Sequence, residues 1–378
     1  MTLGRIEDRI KEKLASRSEK GLLRRLSPEK RGIDLSSNDY LGFARSAALR
    51  ERVERKWNEY QGPLGAGGAR LISGDSELYH ELEREIAEFH QAPAALIFNS
   101  GYDANIGLFA SIAGRNDTVI YDELVHASIR DGIRLSNAAS YSFRHNDISD
   151  LEKKCRLAKG SLFVVVESVY SMDGDLAPLE ELASFCERPG AALIVDEAHA
   201  TGVFGERGEG LVQKLGLESK IFARVHTFGK ALGIHGAAVL GSSELKSFLV
   251  NFARSFIYTT ALPAHSLISV WCAYDLLKEE PTVINLLWER LMAFSTALAS
   301  HGIEYSSTSP IHAIYFPGNE TARAVAAAAQ NAGFDIRAIL SPTVPAGKER
   351  LRVCVHAFNS EDELKGAAKL LGEVKKSL

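Results

Sequence analysis

Three unbroken apolar runs, Ala94 to Phe98, Leu162 to Val166 and Ala191 to Val195, limit what this chain can fold into more than any other feature. None alternates with polar residues, as a strand with one wet face would. Such runs suit strands buried on both faces, in a parallel sheet covered by helices. A fourth strand, Thr118 to Tyr121, precedes Asp122, and the three runs stop at Asn99-Ser100-Gly101, Glu167-Ser168 and Asp196. Helical spacing precedes the first of them, in Leu78, Leu82, Ile86 and Phe89, and follows it, in Tyr102, Ile106, Phe109 and Ala113. The alternation predicts an α/β fold built on a mainly parallel sheet, with ligands outside the carboxyl ends of its strands. Another apolar segment, Ile221 to Val225, leads into His226-Thr227-Phe228-Gly229-Lys230 and brings a lysine to the same edge.

A chain of 378 residues exceeds one comfortable core, so more than one domain is expected. The reading divides it into an N-terminal helical segment (1–42), a large domain (43–272) and a smaller α+β domain (273–378). The last is marked by a helix near Ile284 to Leu298, the strand near Ile311 to Phe316, the helix Ala322 to Ala332 and the strand Leu351 to Val355. Ile6, Ile10 and Leu14 predict one amphipathic helix over residues 2 to about 26, a lid or packing arm. Arg24 and Arg25 near its end read as a solvated basic face or an anion contact. A net charge of −4 argues against nucleic acid as a partner. The four scattered cysteines have no metal-ligand or redox-pair spacing, which points to a reduced, cytoplasmic protein without a metal site. No run approaches the roughly 18 apolar residues of a membrane span.

The chemistry centres on Lys230, flanked by Gly229, Gly233 and Gly236. Small neighbours let a flat ligand approach the backbone, and a lysine in a closed apolar site can act as an amine nucleophile. The plain alternative is a surface lysine near a turn. Ser100-Gly101 between a strand and a helix makes an anion site, since free N–H groups and the helix dipole converge there. Asp196 is placed to partner a protonated ring nitrogen, His199 to reach a phenolic oxygen, and His126 to stack on a planar ring. Taken singly they read as well as a salt bridge, a cap and a core histidine. The glycine cluster Gly62 to Arg70 lacks the dinucleotide fingerprint and reads as a loop that closes against a ligand or partner subunit.

Taken in order, several motifs resemble the pyridoxal-phosphate enzymes of fold type I (aspartate-aminotransferase-like), and among them the α-oxoamine synthases. They are Ser37-Asn38-Asp39-Tyr40-Leu41-Gly42, Gly65-Ala66-Gly67-Gly68-Ala69-Arg70, Asp122 with His126-Ala127-Ser128, Ser171-Met172-Asp173-Gly174-Asp175, Asp196-Glu197-Ala198-His199 and Thr227-Phe228-Gly229-Lys230. The resemblance implies pyridoxal 5'-phosphate held by Lys230 as a Schiff base, Asp196 on the pyridinium nitrogen, His199 on the phenolic oxygen and His126 over the ring. Gly101, Tyr102 and Thr227 match phosphate-side positions and Ser171 a further cofactor contact. Thr259 and Thr260 match a segment that reaches the phosphate of the partner subunit, which implies a homodimer with shared sites. Arg352 matches the arginine that fixes the amino-acid carboxylate, with Arg24, Asn38 and Thr343 as further substrate contacts. The reaction implied is a decarboxylative condensation of an amino acid with an acyl-CoA or acyl-carrier-protein thioester. Pro342 to Gly347 followed by Arg350-Leu351-Arg352 is similar to the branch that joins L-alanine to a pimeloyl group. Leu340 stands where much of that branch has arginine, which keeps glycine with acetyl-CoA, or another acyl donor, open as an alternative. An aminotransferase is the more distant one.

Overall fold

The computed structural model describes residues 3–24, 26 and 32–377. The first helix, α1 (Leu3–Glu19), is shorter than its sequence pattern suggests, and Gly21 follows it with a left-handed backbone (φ 61°). Its Ile6, Ile10 and Leu14 stripe is exposed. Arg25 lies outside the described residues.

The central sheet has seven strands: β2 (Ala94–Phe98), β3 (Thr118–Asp122), β4 (Ala139–Phe143), β5 (Leu162–Glu167), β6 (Ala192–Asp196), β7 (Ala223–Thr227) and β8 (Ala237–Gly241). Their spatial order is β2-β8-β7-β6-β5-β3-β4. Strands β4, β3, β5, β6 and β7 pair in parallel, and β8 runs antiparallel to both β7 and β2. The apolar runs behave as two-sided burial requires. Val164, Val166 and Val195 face one core, while Val165 and Ile194 face a second on the opposite side of the sheet. Helices α2 (Ala47–Glu59), α3 (Glu77–Phe89), α4 (Gly101–Ile112) and α5 (Ala127–Leu135) cover this sheet with others that follow.

The C-terminal part holds an antiparallel sheet of β9 (Ile311–Tyr315), β11 (Arg337–Ile339) and β12 (Arg350–Cys354), in the order β11-β12-β9. The short β1 (Ile33–Asp34) pairs in parallel with β10 (Phe334–Asp335), so the N-terminal segment is not wholly helical and is stitched to this region. Two backbone bonds continue the stitch, from Cys354 N to Leu35 O (2.8 Å) and from Ala357 N to Tyr40 O (2.8 Å). They bring Asn38 and Tyr40 beside Arg352, across the top of the large sheet.

Candidate active site

A cavity of about 290 Å³ opens at the carboxyl ends of β5, β6 and β7. Glu167 and Asp196 end adjacent strands in direct register, and Thr227 ends the next. Lys230 then sits in a tight turn closed by Gly233 N donating to Lys230 O (2.9 Å). The turn needs glycine. Gly233 has φ 64°, and a Cβ there would fall 2.1 Å from Ala44 N.

Asp196 is buried, and both its oxygens accept: Oδ1 from Ala198 N and Oδ2 from Asn105 Nδ2, each at 2.9 Å. Asn105 Nδ2 also donates to Ser128 Oγ at 3.0 Å, and Ser128 Oγ lies 2.7 Å from His126 Nδ1. Because Nδ1 also accepts from Ser128 N, the ring's proton belongs on Nε2. Burial holds His126 below its ordinary pKa, so the ring is neutral near pH 7. His199 is buried beside Tyr40, with Nδ1 2.8 Å from the phenolic oxygen. Its pKa is driven well below the usual range by burial and by the charges of Lys230 and Arg352. Burial also lowers the Lys230 amine, against the opposing pull of the Asp196 and Glu167 carboxyls.

On the phosphate side, Ser100 caps α4 by accepting from Asp103 N, and Gly101 and Tyr102 line the cavity at the head of that helix with Thr227. A Cβ on Gly101 would lie 2.5 Å from the Thr227 methyl, so the approach is open only to glycine. Tyr102 donates its hydroxyl at 2.6 Å to Oδ2 of Asp131, a residue outside the cavity lining. Arg352 is buried behind Asn38, donating from Nη2 to Asn38 Oδ1 (2.9 Å) and from Nε to Ser171 O (2.6 Å). Asn38 itself lines the cavity. Ser171 and Thr343 line a second cavity that shares His126 with the first. Thr259 and Thr260 line neither cavity and are tethered through Asn99 Nδ2, 3.0 Å from Thr259 Oγ1 and 2.9 Å from Thr260 O. The glycine cluster docks on the same segment, with Ala261 N donating to Gly68 O (3.0 Å). Arg24 is exposed and lines neither cavity. Leu340 is half-buried against the main core.

Three residues of the site were given no role of their own in the sequence expectations. Asn105 sits one turn into α4 and has no local signature; only packing on the sheet brings it to Asp196. Its Oδ1 is buried without a partner among the described residues. Tyr40 lies within a quoted motif, but its contact with His199 spans the fold. Glu167 ends a strand as expected and proves to line the cavity, where burial and the Asp196 charge raise its pKa. Among the described residues no His, Cys, Asp or Glu cluster is placed to hold a metal ion.

The arrangement fits pyridoxal 5'-phosphate. One carboxylate with its donors satisfied, the neutral imidazole of His126, one amine of lowered basicity and a helix start with glycine clearance line a single cavity, while His199 and Tyr40 are buried outside its lining. The sequence relationships agree. Residues 30–371 match the family described as aminotransferase class I and II, and the chain belongs to it. An 8-amino-7-oxononanoate synthase of Emericella nidulans is 42% identical, over 96% of this chain and 94% of its own. That of Anaeromyxobacter dehalogenans is 39% identical over 90% and 86%. Among solved structures, a serine palmitoyltransferase from S. paucimobilis with a bound PLP–myriocin aldimine superposes with a TM-score of 0.90 at 26% identity, covering 100% of this chain and 99% of that one. The Francisella tularensis 8-amino-7-oxononanoate synthase gives 0.80 at 27% identity, covering 92% and 98%. The protein is a fold type I, pyridoxal-phosphate-dependent enzyme of the α-oxoamine synthase kind.

Proposed function

We propose that the enzyme condenses L-alanine with a pimeloyl thioester, releasing carbon dioxide and a thiol, to form 8-amino-7-oxononanoate for biotin synthesis. The observation that carries this reading is the meeting of Lys230, Asp196, His126 and Asn38, the last bonded to the buried Arg352, around one cavity, in a chain 42% identical to an enzyme of that name. When bound, the cofactor supplies the electron sink that lets negative charge develop at the amino acid's Cα. Asp196 holds the ring nitrogen protonated, and Asn105 keeps that carboxylate aimed. His199, neutral and fixed by Tyr40, would serve the cofactor's phenolic oxygen. His126, lining the cavity with its proton on Nε2, would cover the cofactor's ring. Lys230 Nζ anchors the cofactor, then takes the Cα proton and later returns it; its lowered basicity suits both tasks. Arg352, working with Asn38, binds the amino-acid carboxylate, as a buried guanidinium fork does well. Gly101, Tyr102 and Thr227 receive the phosphate, with Ser171 and Thr343 on the substrate side and Arg24 closing over it. Thr259 and Thr260 act across a homodimer interface in a cytoplasmic enzyme, with the large domain over 43–272 and the small one over 273–378. Sedimentation of the holoenzyme at twice the chain's mass is expected; a monomer active at the same concentration refutes the shared site.

The deciding experiment measures thiol release by cofactor-loaded protein. Release with L-alanine and pimeloyl-CoA, and not with glycine and acetyl-CoA, is the expected result. The reverse would move the enzyme to glycine acetyl transfer. Conversion of the cofactor to its amine form by amino acid alone would make it an aminotransferase.

A further inference from the structure

The second cavity, about 470 Å³, begins at His126 and runs outward between the start of α5 and the loops 170–173 and 343–348. Its walls are mostly apolar: Leu124, Val125, Ala127, Met172, Val344 and Pro345. Two cations, Arg130 and Lys348, line it and are exposed to solvent. Among the described residues neither makes an ion pair with a carboxylate. The other charges in the wall cancel one another. Arg350 is buried and spent on Asp173, Met172 O and Lys348 O, and Asp173 also accepts from Tyr315 OH at 3.2 Å. An apolar channel that shares His126 with the first cavity and carries two cations without carboxylate partners, Lys348 resting over the Tyr315 ring (5.8 Å), matches a ligand with a hydrocarbon middle and an anionic end.

Length narrows the choice. Arg130 lies one helical turn beyond His126 along α5, a rise of about 6 Å. The six bonds from a pimeloyl thioester carbon to its far carboxylate span about 7 Å when extended. Resting on the function proposed above, we infer that Arg130 and Lys348 bind the far carboxylate of the acyl chain, and so select a dicarboxylic acyl donor. The channel's apolar walls accept the chain, and the two cations favour a donor that ends in a carboxylate over one that ends in a methyl group, which gains nothing from them.

The test compares pimeloyl-CoA with heptanoyl-CoA, which has the same chain without the carboxylate. Thiol release with L-alanine is measured for the holoenzyme and for Arg130→Ala, Lys348→Ala and the double variant. Both side chains are at the surface, and the cofactor's visible absorbance reports that each variant stays folded and loaded. The ratio of kcat/KM for pimeloyl-CoA over heptanoyl-CoA is expected to fall at least about tenfold in the double variant, as loss of charge-assisted hydrogen bonds implies. The change should reside in KM. An unchanged ratio overturns the inference, whether both values stay constant or fall together; a joint fall would assign the cations to the coenzyme's phosphates instead. If the unsubstituted enzyme releases no thiol from pimeloyl-CoA, the proposed function fails and the inference with it. Release that is insensitive to the two substitutions removes the inference alone.

Discussion

Lys230 and Asn105 illustrate how differently two residues of one cavity announce themselves. A lysine among glycines after an apolar strand invites a chemical reading, and Lys230→Ala is expected to abolish covalent cofactor attachment. Loss of its proton-transfer role alone lowers kcat by roughly 10² to 10⁴; retention of near-normal turnover would exclude it as the base. Asn105 looks like any polar residue inside a helix. Yet one Nδ2 serves both Asp196 and Ser128, and through Ser128 it fixes the tautomer of His126. Asn105→Ala leaves a buried carboxylate short of a donor, which costs about 1–3 kcal/mol. Cofactor titration should show affinity reduced by about tenfold or more, and an unaltered titration would reduce Asn105 to packing.

Among the secondary-structure elements, legibility followed burial. β2, β5 and β6 could be read almost to the residue, because a strand covered on both faces has no polar positions to confuse its pattern. β4 was missed for the opposite reason: Ala139-Ser140-Tyr141-Ser142-Phe143 forms an edge, mostly exposed, and carries no apolar run. β8 was missed too, although buried: its run is short and follows the glycines after Lys230, and its reversed direction depends on connection and not on composition. The loop 170–175 shows what motif reading leaves out. His145 lies between Asp122 (Nδ1 to Oδ2, 3.1 Å) and Asp175 (Nε2 to Oδ2, 2.7 Å), pinning this loop to the end of β3. Although burial opposes it, bonding to the two carboxylates pushes its pKa up to about 10. The native state therefore holds a proton that the unfolded chain releases near pH 6.5. The clamp's contribution is full below that value and is lost as pH rises through about 10. Urea midpoints should fall between pH 7 and 10, and His145→Gln should flatten that slope; parallel curves would show that the clamp is not protonated.

Across the whole molecule, acid acts through other histidines. His90, His199 and His226 are held neutral by burial, and His312 is lowered to about 4 by the same cause. Below pH 6.5 the unfolded chain gains protons at these positions while the native protein does not, so stability should drop from pH 7.5 to 5.5. Glu167 and Glu197, both raised by burial, and the His145 clamp work the other way, but they are three groups against six, since burial also lowers His126 and His356. A urea midpoint that climbs on acidification would reverse that balance. The loop pinned by His145 also sets the terms on which this enzyme can change. Ser171 lends its carbonyl to Arg352, Met172 forms a wall of the apolar channel, and Gly174 abuts Ile311 of β9 so closely that a Cβ would fall 2.1 Å from its carbonyl oxygen. One six-residue strip thus touches the proposed grip on the first substrate, the proposed passage for the second and the seam between two sheets. A breeder of new variants would find these traits inherited together: remodelling the strip for a bulkier acyl donor would disturb the choice of amino acid in the same stroke.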